Sequence, residues 1–233
     1  INYIKRKREK PFFLTLSYSA VHHLIHEVPK KYLDKYSVKE IYNYDPDSLV
    51  AFGKHKPGSY AAYYDKYSRV GAIQHEDLRN YYLANLNCLD DNIGRVLDAL
   101  KAERIDKNTV VVFISDNGGA ISSDDAGPLR GMKGEYYEGG IRSVTLAWSE
   151  ASWLANKGTV NTTPIIAFDL YPTCVEAASG NLPSNYDIDG ASQWQMLTNG
   201  SSINREAIFW HFPGYLIDSK RDSRPVTVVR KGD

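Results

Sequence analysis

Polar side chains that suit a divalent cation follow an apolar run in the middle of the chain. Residues 109–114 are β-branched and apolar, and they lead into the motif Ser-Asp-Asn-Gly-Gly at residues 115–119. Asp116 supplies a carboxylate and Asn117 an amide oxygen, both hard ligands for Ca²⁺ or Mg²⁺, and the glycines let the backbone turn closely around an ion. The same residue types are common in turns that bind no metal, so the motif alone leaves both interpretations open.

A glycine-rich segment at residues 127–142 surrounds a lysine, Lys133. Glycines at this density prevent a continuous helix or strand, which favours a backbone shaped around a ligand with a compact cation to hold an anion. A flexible surface loop is the alternative interpretation. Three histidines, His22, His23 and His26, follow an apolar run at residues 11–19. Histidines grouped at the end of a strand can act as acids or bases, although surface roles explain them as well.

The elements that must position these side chains are predicted from hydrophobic periodicity. Residues 11–19 suit a buried strand, and residues 72–102 carry apolar side chains at spacings of three and four, which predicts an amphipathic helix. Residues 109–114 are apolar on both faces, as in a central strand of a covered parallel sheet. Residues 143–148 predict another strand and residues 168–178 another helix. Strand, helix and strand in this order indicate an α/β fold, in which ligands bind at the carboxyl ends of the strands.

Composition limits the classes of protein that this chain can represent. It has 233 residues, 42% of them hydrophobic, which suffices for one sizeable core. Lys plus Arg and Asp plus Glu both number 28, so no net field favours nucleic acid or an anionic membrane. No apolar run approaches the roughly 20 residues that a membrane span needs. Two cysteines, Cys88 and Cys174, exclude a disulfide scaffold and a cysteine-based zinc site. The chain opens at Ile1 and closes soon after a strand-like segment at residues 225–229, so we expect truncation at both ends.

Five sequence blocks together resemble one family. They are Ala-Val-His at 20–22, Leu-Asp-Asp-Asn-Ile-Gly at 89–94, Ser-Asp-Asn-Gly-Gly at 115–119, Pro-Leu-Arg-Gly-Met-Lys-Gly at 128–134 and Tyr-Glu-Gly-Gly-Ile-Arg at 137–142. Their order and spacing resemble the type I sulfatases, the arylsulfatase-like branch of the alkaline phosphatase superfamily. Further similar blocks lie at 169–173, 189–190 and 209–213. The resemblance implies an alkaline phosphatase-like α/β sandwich, with a mostly parallel central sheet flanked by helices, of which residues 1–190 form the later part. Residues 191–233 are then the start of a small carboxyl-terminal lobe.

The resemblance also implies roles for individual residues. Asp116 and Asn117 correspond to two of the four protein ligands of a calcium ion, with Mg²⁺ as the alternative ion, and the other two ligands have no counterpart in this chain. Lys133 and His22 correspond to residues that contact the sulfate group and its leaving oxygen, where a cation and proton donors stabilise the transition state. His22 follows Val21 where the family has proline. Apart from the resemblance, loops over the strand ends usually set specificity, so His26 and His211 are candidates for contact with the sugar or aryl group of a substrate, and structural roles are the alternative.

The nucleophile is missing from these blocks. The family uses a formylglycine made from cysteine in Cys-x-Pro-x-Arg, and neither Cys88 nor Cys174 lies in such a motif. We therefore expect formylglycine in an absent amino-terminal part and no activity from this chain alone. The implied substrate is a sulfate ester of a carbohydrate or small molecule, without nucleic acid or membrane partners, in a periplasmic or secreted protein of unspecified oligomeric state. Two alternatives stay open: a phosphate or phosphonate ester hydrolase of the same superfamily, and a catalytically dead truncated homologue that serves as a binding domain.

Overall fold

The computed structural model describes residues 1–22, 28–40, 77–119, 127–217, 222–223 and 225–232. Its helices are α1 (Lys30–Lys35), α2 (Leu78–Ala102), α3 (Glu138–Ile141), α4 (Leu170–Ala177) and α5 (Trp194–Asn199), with 3-10 turns at Asp106–Asn108 and Ala167–Asp169. Its strands are β1 (Val111–Ile114), β2 (Thr145–Trp148), β3 (Ile208–Phe212), β4 (Leu216–Ile217), β5 (Asp222–Ser223) and β6 (Val226–Arg230). None of the described helices is both long and apolar enough to cross a membrane. The chain is thus a mixed α/β protein, as predicted.

The first of two compact units contains Ile1, Phe12–Ala99 and Ala120–Asp125. Its core forms where α1 packs against α2, through Tyr32 and Leu33 on the short helix and Tyr81 and Ala84 on the long one. The spacing of three on α2 places both of its residues on one face. The Tyr32 hydroxyl donates to the Asp91 carboxylate over 2.8 Å, which fastens the two helices at a second point. The predicted long helix is confirmed from Leu78 onwards, and residues 72–76 lie outside the described residues.

Residues 11–19 do not form the buried strand that the sequence predicts. They adopt neither helix nor strand, and Phe13, Leu16 and Tyr18 are 74%, 46% and 43% exposed. A strand needs a neighbouring backbone to satisfy its amide and carbonyl groups, and the described residues pair no strand with this segment. An apolar, aromatic run is therefore a necessary but insufficient signal for a strand.

The second unit contains Asn2–Pro11, Leu100–Gly119 and Ala126–Asp233. In it β1 pairs with β2 in antiparallel register, with Ile114 opposite Thr145 and Val111 opposite Trp148. This pair is therefore an antiparallel part of a sheet that is expected to be mostly parallel. The connection leaves the carboxyl end of β1 and enters β2 at the same end of the strand pair, as the hydrogen bond from Ser115 N–H to the Val144 carbonyl shows. A parallel pair would need a crossover that returns the chain to the opposite end. Every strand pair among the described residues is antiparallel.

The strand β1 is also less covered than predicted. Val112 and Ile114 are 40% and 43% exposed, although the sequence favours a strand that is buried on both faces. The physical reason is that apolar residues on both faces indicate what could be buried, while the covering layers must come from elsewhere in the chain. The described part of this sheet has only two strands.

A buried carboxylate, Asp169, joins the helical segment of the second unit to residues further along the chain. Its side chain is 1% exposed and accepts hydrogen bonds from the backbone amides of Ile166 (3.0 Å) and Ala191 (2.9 Å). It also accepts from Gln193 Nε2 (3.1 Å) and from both terminal nitrogens of Arg205, one of them at 3.0 Å. The helix predicted at 168–178 is confirmed as the 3-10 turn and α4. The predicted domain boundary near residue 190 stays a prediction.

Candidate active site

The loop after β1 carries the predicted metal ligands and is fixed at its first residue. Ser115 N–H donates to the Val144 carbonyl (3.0 Å), and the Ser115 hydroxyl donates to the Asn117 carbonyl (3.1 Å). The strand pair thus continues for one residue beyond β1, and the serine side chain then turns the backbone. Asp116 lies at the bend with an exposed side chain, and Asn117 is half-buried.

The same loop is bound to the glycine-rich segment that carries Lys133. Gly118 N–H donates to the Gly140 carbonyl (3.0 Å), and Lys133 N–H donates to the Gly119 carbonyl (2.8 Å). Because a chain extends at most about 3.6 Å per residue, Asp116 and Asn117 stay within about 11 Å of Gly119. The structure therefore brings the segment of Asp116 and Asn117 together with that of Lys133.

Glycine is required here because backbone meets backbone. A Cβ on Gly118 would overlap the carbonyl oxygen of Gly139, and a Cβ on Gly139 would overlap that of Gly131. A Cβ on Gly140 would overlap the carbonyl oxygen of Glu135. Any other residue forces these loops apart, so the Asp-Asn-Gly-Gly and Glu-Gly-Gly motifs act as one packed unit.

The lysine loop is held by contacts within its own segment as well. Gly139 N–H donates to the Arg130 carbonyl (2.7 Å), and Met132 N–H donates to the Glu135 carboxylate (3.1 Å). Gly131 has a φ of +86°, a conformation that L side chains rarely adopt. Lys133 is half-buried. This loop therefore has a backbone conformation defined by internal hydrogen bonds. The alternative interpretation, a flexible surface loop, does not describe it.

The side chains of Asp116 and Asn117 fit a hard divalent cation. They offer a carboxylate and an amide oxygen, and neither has a hydrogen-bond or ion-pair partner among the described residues. Since Ca²⁺ takes six to eight oxygen ligands, these two side chains supply only part of its coordination sphere. In the described ranges, no group of three or more His, Cys, Asp or Glu side chains is placed to hold a metal. The role of the two residues as ligands stays a prediction.

The three predicted histidines fall in different situations. His22 belongs to the first unit, is exposed, and its backbone amide donates to the Ser19 carbonyl (2.8 Å). Its convergence with Asp116, Asn117 and Lys133 stays a prediction. His26 lies outside the described residues.

His211 belongs to the second unit and is exposed on β3. Its ring Nδ1 shares a hydrogen bond of 2.8 Å with the Thr227 hydroxyl of the paired strand β6. One ring nitrogen is thus occupied by a cross-strand contact, and Nε2 is the atom that a ligand would meet. Its predicted contact with substrate stays a prediction.

Sequence reasoning missed the contacts that join the lysine loop to the β3–β6 sheet. Arg230 Nη1 donates to the Glu138 carboxylate over 2.6 Å, across 92 positions of sequence. The rings of Tyr136 and Phe212 stack with centroids 5.9 Å apart. Glu138 lies in a recognised block, but Arg230 is one of many basic residues, and no local pattern singles it out.

The two cysteines do not supply a nucleophile motif, and both are free thiols. Cys88 lies in α2 and Cys174 in α4, and both are half-buried rather than fully buried. Burial raises the pKa of the Cys174 thiol, which disfavours the reactive thiolate. Neither cysteine therefore supplies the nucleophile that the resemblance implies.

A comparison with models of protein families gives a match over most of the chain. The family model described as Sulfatase matches residues 1–180. This chain belongs to the sulfatase family. The sulfatase chain is 33% identical over 231 residues to a sulfatase of Formosa agariphila, covering 93% of this chain and 36% of that protein. It is 32% identical over 192 residues to mouse arylsulfatase J, covering 82% of this chain and 26% of that protein. The chain thus spans about a third of the length of these curated relatives.

Solved structures with the same fold support the α/β assignment of this sulfatase chain. A Bacteroides thetaiotaomicron structure from work on glycosaminoglycan metabolism matches with a TM-score of 0.61 at 18% identity, covering 99% of this chain and 45% of that one. The protein Ps i-CgsB in complex with k-i-k-neocarrahexaose matches with a TM-score of 0.53 at 22% identity, covering 77% of this chain and 48% of that one. At such identities the likeness establishes the alkaline phosphatase-like α/β fold, and the expected fold class is confirmed.

Proposed function

We propose that the complete protein containing this chain hydrolyses sulfate monoesters, in particular those of a sulfated carbohydrate. The observation that carries the proposal is the pair of backbone hydrogen bonds that join the Asp116–Asn117 loop to the Lys133 loop, Lys133 N–H to Gly119 and Gly118 N–H to Gly140. Within the sulfatase family, these are the two segments expected to hold the cation and the sulfate. The carbohydrate is suggested by relatives such as N-acetylgalactosamine-6-sulfatase of rat, which is 31% identical over 138 residues.

The residues of this chain have distinct tasks in the proposed reaction. Asp116 and Asn117 would hold one Ca²⁺ or Mg²⁺, which supplies polarisation of a sulfate oxygen when bound. Lys133 places a positive charge where the leaving oxygen gains negative charge, so it acts mainly in the transition state. His22 would donate a hydrogen bond to the same oxygen. Backbone packing around Gly118 holds the segment of Asp116 and Asn117 against that of Lys133 before the substrate arrives.

The remaining parts of the proposal concern groups outside the described site. The nucleophile is a formylglycine in the complete protein, because neither cysteine of this chain lies in a suitable motif. His26 and His211 would contact the carbohydrate beyond the ester. A periplasmic or secreted location belongs to the same proposal and rests on the family resemblance.

The test compares two proteins. The complete coding sequence that contains this chain is expressed together with a formylglycine-generating enzyme, and sulfate released from sulfated oligosaccharides is measured by ion chromatography. We expect sulfate release from the complete protein and a rate equal to that of buffer from the 233-residue chain alone. The complete protein is also given phosphorylated oligosaccharides. Release of phosphate from these without release of sulfate from the sulfated ones would overturn the proposal, and turnover by the 233-residue chain alone would contradict the expectation that it lacks the nucleophile.

A further inference from the structure

A cavity of about 360 Å³ lies between the lysine loop and the β3–β6 sheet of the second unit. Its lining combines aromatic rings with charged side chains, namely Tyr136, Tyr137, Trp210, Glu138, Arg230 and Lys231. We call it the aromatic pocket. Its lining includes neither Asp116, Asn117 nor Lys133, so it is distinct from the group of residues expected to act on the ester.

The rings of the aromatic pocket are held in place by neighbours. Tyr136 stacks on Phe212, and the Arg130 guanidinium lies 3.9 Å from the centroid of the Tyr137 ring and donates to its hydroxyl (3.0 Å). Trp210 pairs with Val228 across β3 and β6, and both line the pocket. Aromatic faces held in this way offer a preformed flat surface for the apolar face of a ligand ring.

The charged side chains of the pocket leave one donor unused. Arg230 Nη1 donates to Glu138, but the buried Nε of Arg230 has no hydrogen-bond partner among the described residues. Lys231 reaches Glu206 at the surface (3.0 Å), where both side chains are well exposed. A buried donor without an acceptor is costly, so a ligand that supplies an acceptor oxygen there gains more than at an ordinary surface position.

We propose that the aromatic pocket binds a sulfated saccharide unit other than the one whose ester is cleaved, an inference that rests on the proposed function. A sugar ring packs its C–H face on Tyr137 or Trp210, and a sulfate or hydroxyl oxygen accepts from Arg230 Nε. The ion pairs around the pocket contain three cations, Arg230, Lys231 and Arg142, and two carboxylates, Glu138 and Glu206, so one positive charge is left in excess. This combination favours an anionic ring with many oxygens over a purely apolar ligand.

A binding experiment tests the pocket without any need for turnover. The 233-residue chain is titrated in a calorimeter with hexasaccharides of carrageenan, chondroitin sulfate and heparan sulfate, with their desulfated forms, and with sodium sulfate. We expect at least one sulfated hexasaccharide to bind more tightly than its desulfated form and than sodium sulfate. Trp210→Ala should weaken that binding by about tenfold or more, as the loss of a central aromatic contact does.

Two further variants separate the pocket from a general loss of folding. Arg230→Lys keeps the charge beside Glu138 and removes the Nε donor, so it should also weaken binding by about tenfold. Phe209→Ala removes the neighbouring ring on the opposite, exposed face of β3 and should leave binding within about twofold of the unmodified chain. If Trp210→Ala lowers the melting temperature strongly, Tyr137→Ser decides in its place, because Tyr137 is 46% exposed.

The outcomes distinguish the pocket from the proposed function. No binding by any hexasaccharide, unchanged binding in Arg230→Lys and Trp210→Ala, or sodium sulfate binding as tightly as the hexasaccharide overturns the pocket. If the complete protein releases sulfate while these variants bind normally, only the pocket is wrong. If the pocket variants lose binding while the complete protein releases no sulfate, only the proposed function is wrong, and the pocket then belongs to a saccharide-binding protein.

Discussion

The backbone amide of Lys133 donates a hydrogen bond to the carbonyl of Gly119 over 2.8 Å. This bond ties the loop that follows β1 to a loop that begins eight residues later in sequence, at Gly127, and the two loops carry the charges that the proposed reaction uses. Neither loop has regular secondary structure to hold it beyond the short helix α3. Their relative position therefore depends on backbone contacts, and the first prediction concerns the residue that makes those contacts possible.

Gly118→Ala should destabilise the chain, because a Cβ there would overlap the Gly139 carbonyl. Relieving such an overlap moves backbone, and overpacking of this kind costs about 1–3 kcal/mol. The free energy of unfolding from urea titration measures the effect. Gly94→Ala is the matched control, since a Cβ on Gly94 meets nothing within 4 Å. Gly94 lies inside α2, so its replacement should stabilise the chain by about 0.5–1 kcal/mol. Equal stability of the two variants would contradict the packing described here.

Lys133→Ala in the complete protein should lower kcat/KM for a sulfate ester by about 10²–10³-fold, the usual effect of removing one group that stabilises transition-state charge. The melting temperature is measured beside the activity, so that a loss of folding is distinguished from a loss of transition-state stabilisation. Lys157→Ala, in an exposed loop, is the matched control and should keep full activity. An unaltered kcat/KM in the Lys133→Ala variant would show that the Lys133 side chain does not stabilise the transition state.

The sequence predicts the individual helices and strands of this chain better than it predicts which elements pack or pair with each other. The periodicity of α2 and the β-branched residues of β1 act through contacts a few positions away, so local patterns suffice for them. The strand expected at residues 11–19 requires a partner, and the direction in which β2 pairs with β1 depends on where the connection returns. The expected strand is wrong, and the antiparallel pairing was not predicted, because the deciding contacts lie far along the chain.

The candidate site follows the same division. Asp116, Asn117 and Lys133 are recognisable from their motifs, and the structure brings their two segments together through Gly118 and Gly119. The Arg230 contact with Glu138 spans 92 positions, and Arg205 reaches Asp169 across 36. An arginine that completes a distant ion pair looks like any surface arginine in a single sequence, so these contacts could not be predicted.

Asp169→Ala should be the most destabilising of these substitutions. The carboxylate is 1% exposed, Arg205 is 16% exposed, and three further donors from Ile166, Ala191 and Gln193 point at the same oxygens. Removing one partner of a buried ion pair leaves the other charge uncompensated and typically costs about 3–5 kcal/mol. Thermal and urea unfolding, followed by circular dichroism, measure the loss.

The matched control for Asp169 is the exposed ion pair between Lys30 and Asp34, whose side chains are 62% and 57% exposed. Asp34→Ala should leave the unfolding midpoint within experimental error, because water solvates both groups and screens their attraction. An Asp169→Ala chain that unfolds at the midpoint of the unmodified chain would show that the buried network contributes nothing net to stability.

Cys174 should react with iodoacetamide only at higher pH than an exposed thiol. Burial raises its pKa, so at a given pH a smaller fraction is the reactive thiolate. The folded chain therefore holds this proton more tightly than the unfolded chain. The stability that follows is present below the pKa of the unfolded thiol, about 8.5, and is lost as the pH rises through the higher folded value.

Peptide mapping by mass spectrometry follows alkylation of Cys174 between pH 7 and 11, with glutathione and the urea-unfolded chain as references. A raised pKa displaces the midpoint of the rate profile to higher pH, whereas simple steric shielding lowers the plateau and leaves the midpoint in place. We expect the displaced midpoint in the folded chain and the ordinary midpoint after unfolding, since unfolding restores water around the thiol. A folded chain with the same midpoint as glutathione would mean that burial does not control the ionisation of Cys174.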